Sequence, residues 1–304
     1  MNEDEPRTDD PARLLRLATT AAVSVAVVLV LVKLVAWLIT GSVAMMSTMV
    51  DSLLDAMASL LNLIAVRHAL QPADREHRFG HGKAEALAGL GQSAFIAGSS
   101  VFLVLAAGQR LLEPAPLRQG ATGIAVMVFS IVLTAALVQF QRYVIRRTAS
   151  PAIRADSLHY VGDILVNLAV ILAFLLASGF GWVLADPLFA IGIAGYILWT
   201  AWGIARRALD ILMDHELPDA DRERMRQIAL SHPDVEDLHD LRTRSSGQQT
   251  FIQFHLELAP TLSLARAHEI ADAVEAEIRA AFPGAEVLIH QDPAGLREDH
   301  AVPG

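Results

Sequence analysis

Six apolar segments, each long enough to cross a lipid bilayer, constrain the fold of this 304-residue chain more than any other feature. A bilayer core requires about 20 predominantly apolar residues per helix. With 53% hydrophobic and 19% charged residues and a mean hydropathy of +0.41, the chain is more apolar than most soluble proteins of this size. We therefore predict an α-helical membrane protein with six transmembrane helices, at residues 18–40, 43–66, 84–112, 122–145, 153–177 and 183–205.

Basic residues gather at one end of the predicted helices, and this asymmetry indicates the orientation of the chain. Arginine and lysine favour the cytoplasmic side of a membrane protein. The opposite end has little beyond Arg110 and Arg118, so both termini are predicted to be cytoplasmic. The start of the chain lacks the features of a secretory signal, so the first apolar segment is expected to be retained. The basic residues at the cytoplasmic end are Arg67, Arg75, Arg78, Lys83, Arg142, Arg146, Arg147, Arg154, Arg206 and Arg207.

After about residue 211 the composition changes from apolar to acidic. Residues 214–300 contain 18 acidic and 8 basic residues, a formal charge of −10, against −9 for the whole chain. The period-two alternation of FIQFHLEL is typical of a strand, and the order of patterns is helix, strand, strand, helix, strand. The sequence predicts a transmembrane domain at 12–211 and a cytoplasmic α+β domain at 212–293. Residues 1–11 and 294–304 are expected to be disordered tails.

Two aspartates inside the second apolar segment, MVDSLLDAMASLL, are the clearest functional signal. Asp51 and Asp55 are four residues apart and therefore share one helix face. The fifth apolar segment repeats this spacing with His159 and Asp163. The helical rise of about 1.5 Å per residue places the two pairs at similar depths, so they can supply four ligands to one ion. The alternative is a role in helix packing or in a water-filled cavity, but ionisable groups in lipid are costly and usually functional.

The formal charge of these four residues predicts an exchange mechanism. Fully ionised, they carry −3, which a low-dielectric site cannot hold without compensation. Burial and mutual repulsion favour protonated carboxyls, whereas metal ligands must be deprotonated. A divalent cation would therefore displace protons, and a site that opens alternately to each side would be an antiporter. The chain has no cysteine, and one histidine with three carboxylates suits Zn²⁺, with Cd²⁺, Co²⁺ and Fe²⁺ as alternatives.

These motifs resemble the cation diffusion facilitator family, specifically its bacterial zinc/proton antiporters. The resemblance covers residues 12–293 and includes QPADREHRFGHGKAE after the second helix and HDLRTRSSG, FIQFHLEL, AHEIAD and IHQDP in the soluble domain. It implies a homodimer of six-helix subunits with metallochaperone-like cytoplasmic domains in a bacterial inner membrane. It also implies export of zinc, or of a similar ion, by alternating access driven by proton entry. Neither enzymatic activity nor a nucleic-acid partner is expected.

The resemblance also implies two further metal sites. In the loop after the second helix, Asp74, His77 and His81 have ligand-like spacing, although a solvated charged loop would show the same residues. In the soluble domain, the family has a binuclear zinc site at the dimer interface, with the last aspartate bridging the metals. The matching positions in this chain are His239, His255, His268, His290 and Asp292. From spacing alone, these five could also be ordinary surface residues.

Two lysines near or inside the apolar segments need separate explanations. Lys83, at the start of the third helix, could simply extend to the membrane interface. The resemblance instead implies that it pairs with Asp214 after the last helix and helps to lock the dimer. Lys33 interrupts the first apolar segment, and the sequence assigns it no acidic partner.

Three other functions are alternatives to transport. A membrane metalloenzyme would be expected to carry a motif such as H-E-x-x-H, and neither HEIAD nor HELPD supplies the second histidine. A metal sensor would have no need for ligands inside the membrane. A passive channel would conduct without dependence on a pH gradient.

Overall fold

The structure is a computed structural model that describes residues 10–41, 43–112, 121–180, 182, 184–247 and 249–295. The predicted tail residues 1–9 and 296–304, and also Arg118, lie outside the described residues. The chain divides into two compact units, with the boundary between Leu209 and Asp210. The first unit contains six long helices, and the second contains a small sheet with two helices. Within the described ranges, six helices are long and apolar enough to cross a membrane, which confirms the predicted fold class.

The long helices extend beyond the predicted apolar runs at most of their ends. Asp10 caps the first helix because its carboxylate accepts a hydrogen bond from the backbone N–H of Ala12 at 3.1 Å, and Pro11 takes the first helical position. Gly41 ends this helix in the left-handed conformation, with φ 61°. The helices are α1 Pro11–Thr40, α2 Val43–Ala69, α3 Lys83–Leu112, α4 Ala121–Thr148, α5 Pro151–Phe180 and α6 Ala185–Leu212.

Helix α5 is central to the packing of the first unit, because it contacts α1, α2, α3 and α4. Its first turn lies close to α3 at Gly89, where an added Cβ would be 3.3 Å from the backbone carbonyl carbon and oxygen of Pro151. Buried apolar side chains from α1, α4 and α5 meet here, including Leu15, Val144 and Ile153. The start of α5 is therefore held tightly among its neighbours.

The second unit has the predicted order of two helices and three strands. Its elements are α7 Asp219–Leu230, β1 Val235–Ser246, β2 Gln249–Leu258, α8 Leu264–Ala281 and β3 Ala285–Pro293. The strand order is β1-β2-β3, with β1 antiparallel and β3 parallel to β2.

The core of the second unit lies between the sheet and its helices. Ile252, Phe254 and Leu256 of β2 pack in one cluster with Ile270 and other buried side chains of α8. Because side chains alternate between the faces of a strand, the intervening residues of β2 point to the opposite face.

Candidate metal centres

Helices α2 and α5 bring three of the four predicted intramembrane ligands together. The group consists of Asp55, His159 and Asp163, each of which offers one ligand atom. These three atoms lie within 4.8 Å of one another. His159 Nε2 is 2.9 Å from Asp55 Oδ1 and 3.9 Å from Asp163 Oδ2. His159 is only 9% exposed, and both carboxylates are partly buried. Two carboxylates and an imidazole in this arrangement are a suitable donor set for a divalent cation.

Asp51, the fourth predicted ligand, lies one helical turn from Asp55 and is exposed. It is not a member of the three-residue group. Its carboxylate interacts electrostatically with Asp55 and with Lys33. Asp51 therefore adds negative charge beside the group of the other three residues, and its role as a fourth ligand stays a prediction.

Lys33, which the sequence left without a partner, lies beside the same group. Its ammonium donates a hydrogen bond to Ser52 Oγ at 2.5 Å. Ser52 is buried and precedes Asp55 by three residues, so both lie on one face of α2. The ammonium also interacts electrostatically with the carboxylates of Asp163, Asp55 and Asp51. The sequence showed only that a lysine lies inside an apolar segment. The carboxylates near its ammonium belong to other helices, so they could not be read from that segment.

Asp156, which was not predicted, has a completely buried carboxylate between the helices. Its Oδ1 accepts hydrogen bonds from Ser59 Oγ at 3.3 Å and from Gln92 Nε2 at 3.1 Å. Its Oδ2 accepts a hydrogen bond from Gln141 Nε2 at 2.7 Å. The donors belong to α2, α3 and α4, so this carboxylate of α5 joins four helices. Its i, i+3, i+7 spacing with His159 and Asp163, the two predicted ligands of α5, was the signal that could have revealed it.

The predicted loop residues Asp74, His77 and His81 also form a compact group. The Asp74 carboxylate is 3.4 Å from a ring nitrogen of each histidine. The backbone N–H groups of His77 and Glu76 donate hydrogen bonds to it at 2.6 and 2.8 Å, and these bonds hold the pKa of Asp74 below its ordinary value. His81 is buried, and its Nδ1 has no hydrogen-bond partner among the described residues. The ring of His68, which was not predicted, lies 4.6 Å from that of His81.

Strand register places three histidines of the second unit in a row across the sheet. His239 is opposite His255 in the antiparallel pair, and His255 is opposite His290 in the parallel pair. Asp292 follows His290 by two residues and therefore points to the same face. Its Oδ2 is 2.6 Å from His255 Nδ1 and 3.5 Å from His239 Nε2, and its Oδ1 is 3.1 Å from His290 Nε2. Imidazole nitrogens around a carboxylate match the donor preference of zinc.

His268, the fifth residue predicted for this cluster, lies apart from it within one copy of the chain, and its role at the interface between copies stays a prediction. It is on α8, its side chain is 68% exposed, and its Nε2 is 3.5 Å from Asp272 Oδ2. Glu257, which was not predicted, also belongs to this cluster, because its Oε1 is 3.1 Å from His239 Nδ1. Its position two residues after His255 on β2 was the available signal.

The residues of the predicted Lys83–Asp214 pair belong to different units of the chain. Lys83 begins α3, whereas Asp214 follows α6 with a positive φ of 54°. Within the second unit, Asp214 Oδ1 is 3.4 Å from a guanidinium nitrogen of Arg244. The lysine–aspartate pairing between subunits stays a prediction.

Comparisons with known proteins give matches over nearly the whole chain. The family model of the cation efflux transmembrane domain matches residues 19–213, and that of the cation efflux protein, cytoplasmic domain, matches residues 217–294. The chain is 50% identical over 284 residues to the cation-efflux pump FieF of Salmonella paratyphi A and to that of Salmonella agona, covering 93% of this chain and 94% of each relative. The metal-bound C-terminal domain of the CzcD transporter from Thermotoga maritima is 26% identical, covering 26% of this chain and 93% of that one, with a TM-score of 0.25.

Proposed function

This chain belongs to the cation diffusion facilitator family of cation efflux transporters, and we propose that it exports Zn²⁺ in exchange for protons. Family membership makes it a multi-pass membrane transporter rather than an enzyme. The observation that carries the proposal is the group of Asp55, His159 and Asp163 between α2 and α5. Fe²⁺, Cd²⁺ and Co²⁺ are the alternative substrates, because nitrogen and oxygen ligands also bind these ions.

The formal charge around this group supports a divalent cargo. With a neutral imidazole at His159, Asp55 and Asp163 carry −2. The charges of Asp51 and Lys33, which interact electrostatically, cancel formally. The remaining −2 equals the charge that one divalent cation neutralises, and an unneutralised charge inside a membrane is costly. Lys33 therefore has a role that the sequence did not assign, as the fixed cation that sets this balance.

Support for proton exchange comes from a contact at the centre of the group, where His159 Nε2 and Asp55 Oδ1 are 2.9 Å apart. A neutral imidazole that keeps its hydrogen at Nδ1 binds a metal at Nε2 without releasing a proton, so exchange requires one further proton on this pair in the empty site, on the imidazole or on the carboxyl. That proton must leave when both atoms bind a metal, because metal ligands must be deprotonated. Metal and proton then compete for the same atoms. If the site opens alternately to the two sides of a bacterial inner membrane, this competition couples metal export to proton entry.

The cytoplasmic cluster supports a homodimer stabilised by zinc. Residues 214–300 carry a formal charge of −10, so two copies of the second unit repel each other. His239, His255, His290 and Asp292 are the residues that would hold zinc, and Asp292, which contacts all three rings, is in position to bridge two ions. The bound metal would supply positive charge that offsets the repulsion. His268 lies apart from these residues within one copy, and its predicted part in a site shared between two copies stays a prediction.

The test is zinc flux in proteoliposomes that contain a zinc-sensitive dye, with and without an imposed pH gradient. The wild type is compared with Asp163→Ala and with the matched control Asp219→Ala, whose side chain is 98% exposed and belongs to none of the predicted metal sites. Gradient-dependent flux in the wild type and the control, with none in folded Asp163→Ala, is the expected result. Equal flux in all three proteins would reject the site. Flux that ignores the pH gradient would indicate a channel, and transport of another metal instead of zinc would correct the substrate.

A further inference from the structure

A cavity of about 620 Å³ opens between α4, α5 and α6 at one end of the first unit. Four of its lining residues are arginines, and they come from all three helices: Arg142, Arg154, Arg206 and Arg207. They lie near the end of α4, at the start of α5 and near the end of α6, so the structure brings together positive charges that are far apart in sequence. The metal groups described above use none of them.

The positive charge of this cavity is not balanced by the described part of the protein. No aspartate or glutamate lines the cavity, and none of its four arginines forms an ion pair within the described ranges. The Nε of Arg154 is buried and has no hydrogen-bond partner among the described residues. Arg154 and Arg207 are also close enough to repel each other electrostatically. Four cations around one cavity create a strong positive potential, which favours the binding of an anion.

The rest of the lining is mostly aromatic and apolar, and its other polar groups are the hydroxyls of Ser157, Tyr196 and Thr200. Trp199 and Trp202 of α6 line the cavity and are 75% and 66% exposed. Leu158 and Val161 of α5 also contribute to its wall. Indole rings are favoured at the boundary between lipid chains and headgroups. The cavity thus combines a cationic end with an apolar wall, which is the complement of an anionic amphiphile rather than of a small soluble anion.

We propose that this cavity binds an anionic phospholipid, with the phosphate at the arginines and the acyl chains along the two tryptophans. Basic pockets between transmembrane helices on the cytoplasmic side are suited to the headgroups of anionic lipids, and the arginines are at the end predicted to be cytoplasmic. A second copy of this chain is a poorer occupant, because a two-fold contact would bring four more arginines to the same place. The proposal does not depend on the transported metal.

The test measures lipid binding to the purified full-length chain in detergent, through the rise in unfolding temperature as phosphatidylglycerol is added. The test variant is Arg154→Gln with Arg207→Gln. The matched control is Arg67→Gln with Arg146→Gln, which removes the same amount of charge. These two arginines are exposed, lie near the ends of α2 and α4, and do not line the cavity. Each arginine near an anionic lipid contributes about fivefold in affinity, so the test variant is expected to bind about 25-fold more weakly than the wild type. The control is expected to bind like the wild type.

Two comparisons identify the ligand. Phosphatidylcholine and inorganic phosphate are each titrated in place of phosphatidylglycerol, and neither is expected to raise the unfolding temperature of the wild type appreciably. Equal affinity of the test variant, the control and the wild type would overturn the proposal, as would an equal response to phosphatidylcholine or to free phosphate. If the double variant does not fold, the exposed single variant Arg206→Gln takes its place, with an expected loss of about fivefold.

Discussion

Replacing Asp156 by alanine is expected to destabilise the six-helix unit strongly, and the hydrogen bonds of its carboxylate determine by how much. Alanine would leave the amide donors of Gln92 and Gln141 buried without an acceptor. Ser59 is less affected, because its hydroxyl is also 2.8 Å from the Tyr160 hydroxyl. Each buried donor left unsatisfied costs about 1–3 kcal/mol, so the free energy of unfolding should fall by about 2–6 kcal/mol.

Asp156→Asn is the matched control for this prediction. It keeps the shape of the side chain and one acceptor oxygen, and it replaces the other oxygen by an amide donor. Gln141 Oε1 is buried and has no hydrogen-bond partner among the described residues. If the Gln141 side-chain amide flips, this oxygen can accept a hydrogen bond from the amide of the new asparagine. The expected cost is therefore about 1 kcal/mol, roughly that of one ordinary hydrogen bond.

The two Asp156 variants are compared with the wild type by thermal unfolding in nanodiscs of fixed lipid composition, followed by circular dichroism. A loss of 1 kcal/mol lowers the Tm of a unit of this size by about 2–4 °C, so Asp156→Ala should unfold about 10 °C below the wild type and Asp156→Asn about 3 °C below. If the alanine variant melts with the wild type, the carboxylate does not hold the helices together. If both variants lose the same amount, the charge matters rather than the hydrogen bonds.

Three further predictions concern separate parts of the chain. Lys33→Met removes a positive charge beside the carboxylates, which should then bind zinc more tightly and release it more slowly. The KM for zinc should therefore fall about tenfold, and the maximal flux in proteoliposomes should fall as well. Lys33→Arg should behave like the wild type, and a raised KM in Lys33→Met would contradict the charge argument. Gly89→Ala should lower the Tm, because the new Cβ meets the backbone of α5 at a cost of about 1–3 kcal/mol. Gly91→Ala is the control and should not lower the Tm, since its new Cβ meets no neighbouring group within 4 Å. Equal Tm values for the two variants would show that the contact at Gly89 relaxes freely. Zinc at a hundredfold excess over its Kd should stabilise the second unit by about 2.7 kcal/mol, measured as hydrogen-exchange protection of the strands. Asp292→Ala should abolish this protection, and the exposed control Asp219→Ala should preserve it. The reverse order would reject the described cluster.

Features that depend on neighbouring residues along the chain were predictable from the sequence. The six helices follow from long apolar runs, and the strands of the second unit follow from alternation. The side-by-side arrangement of His159 and Asp163 follows from their i, i+4 spacing, which fixes two residues on one helix face whatever surrounds the helix. The helix ends were less predictable, because capping at Asp10 and other polar contacts extend helices beyond the apolar runs.

Relations between elements could not be predicted in the same way. The sequence did not show that the ammonium of Lys33 would meet the carboxylates of other helices, or that Asp156 would join four helices. It also did not distinguish the ligand pair Asp51 and Asp55, of which only the second enters the close group. Resemblance to the family supplied His268 as a ligand; within one copy its side chain lies on α8 beside Asp272, and its part in an interface site stays a prediction.

The sequence by itself determined the six membrane-crossing helices, the α+β unit that follows them and the residue pairs that share a helix face. Only the tertiary structure decided which of those faces meet, which carboxylates lie beside His159, and which arginines surround one cavity. The physical reason is that hydropathy and helical geometry act over a few residues of one segment. The rotation and spacing of one helix against another depend on the packing of side chains that are distant in sequence, such as Gly89 against Pro151.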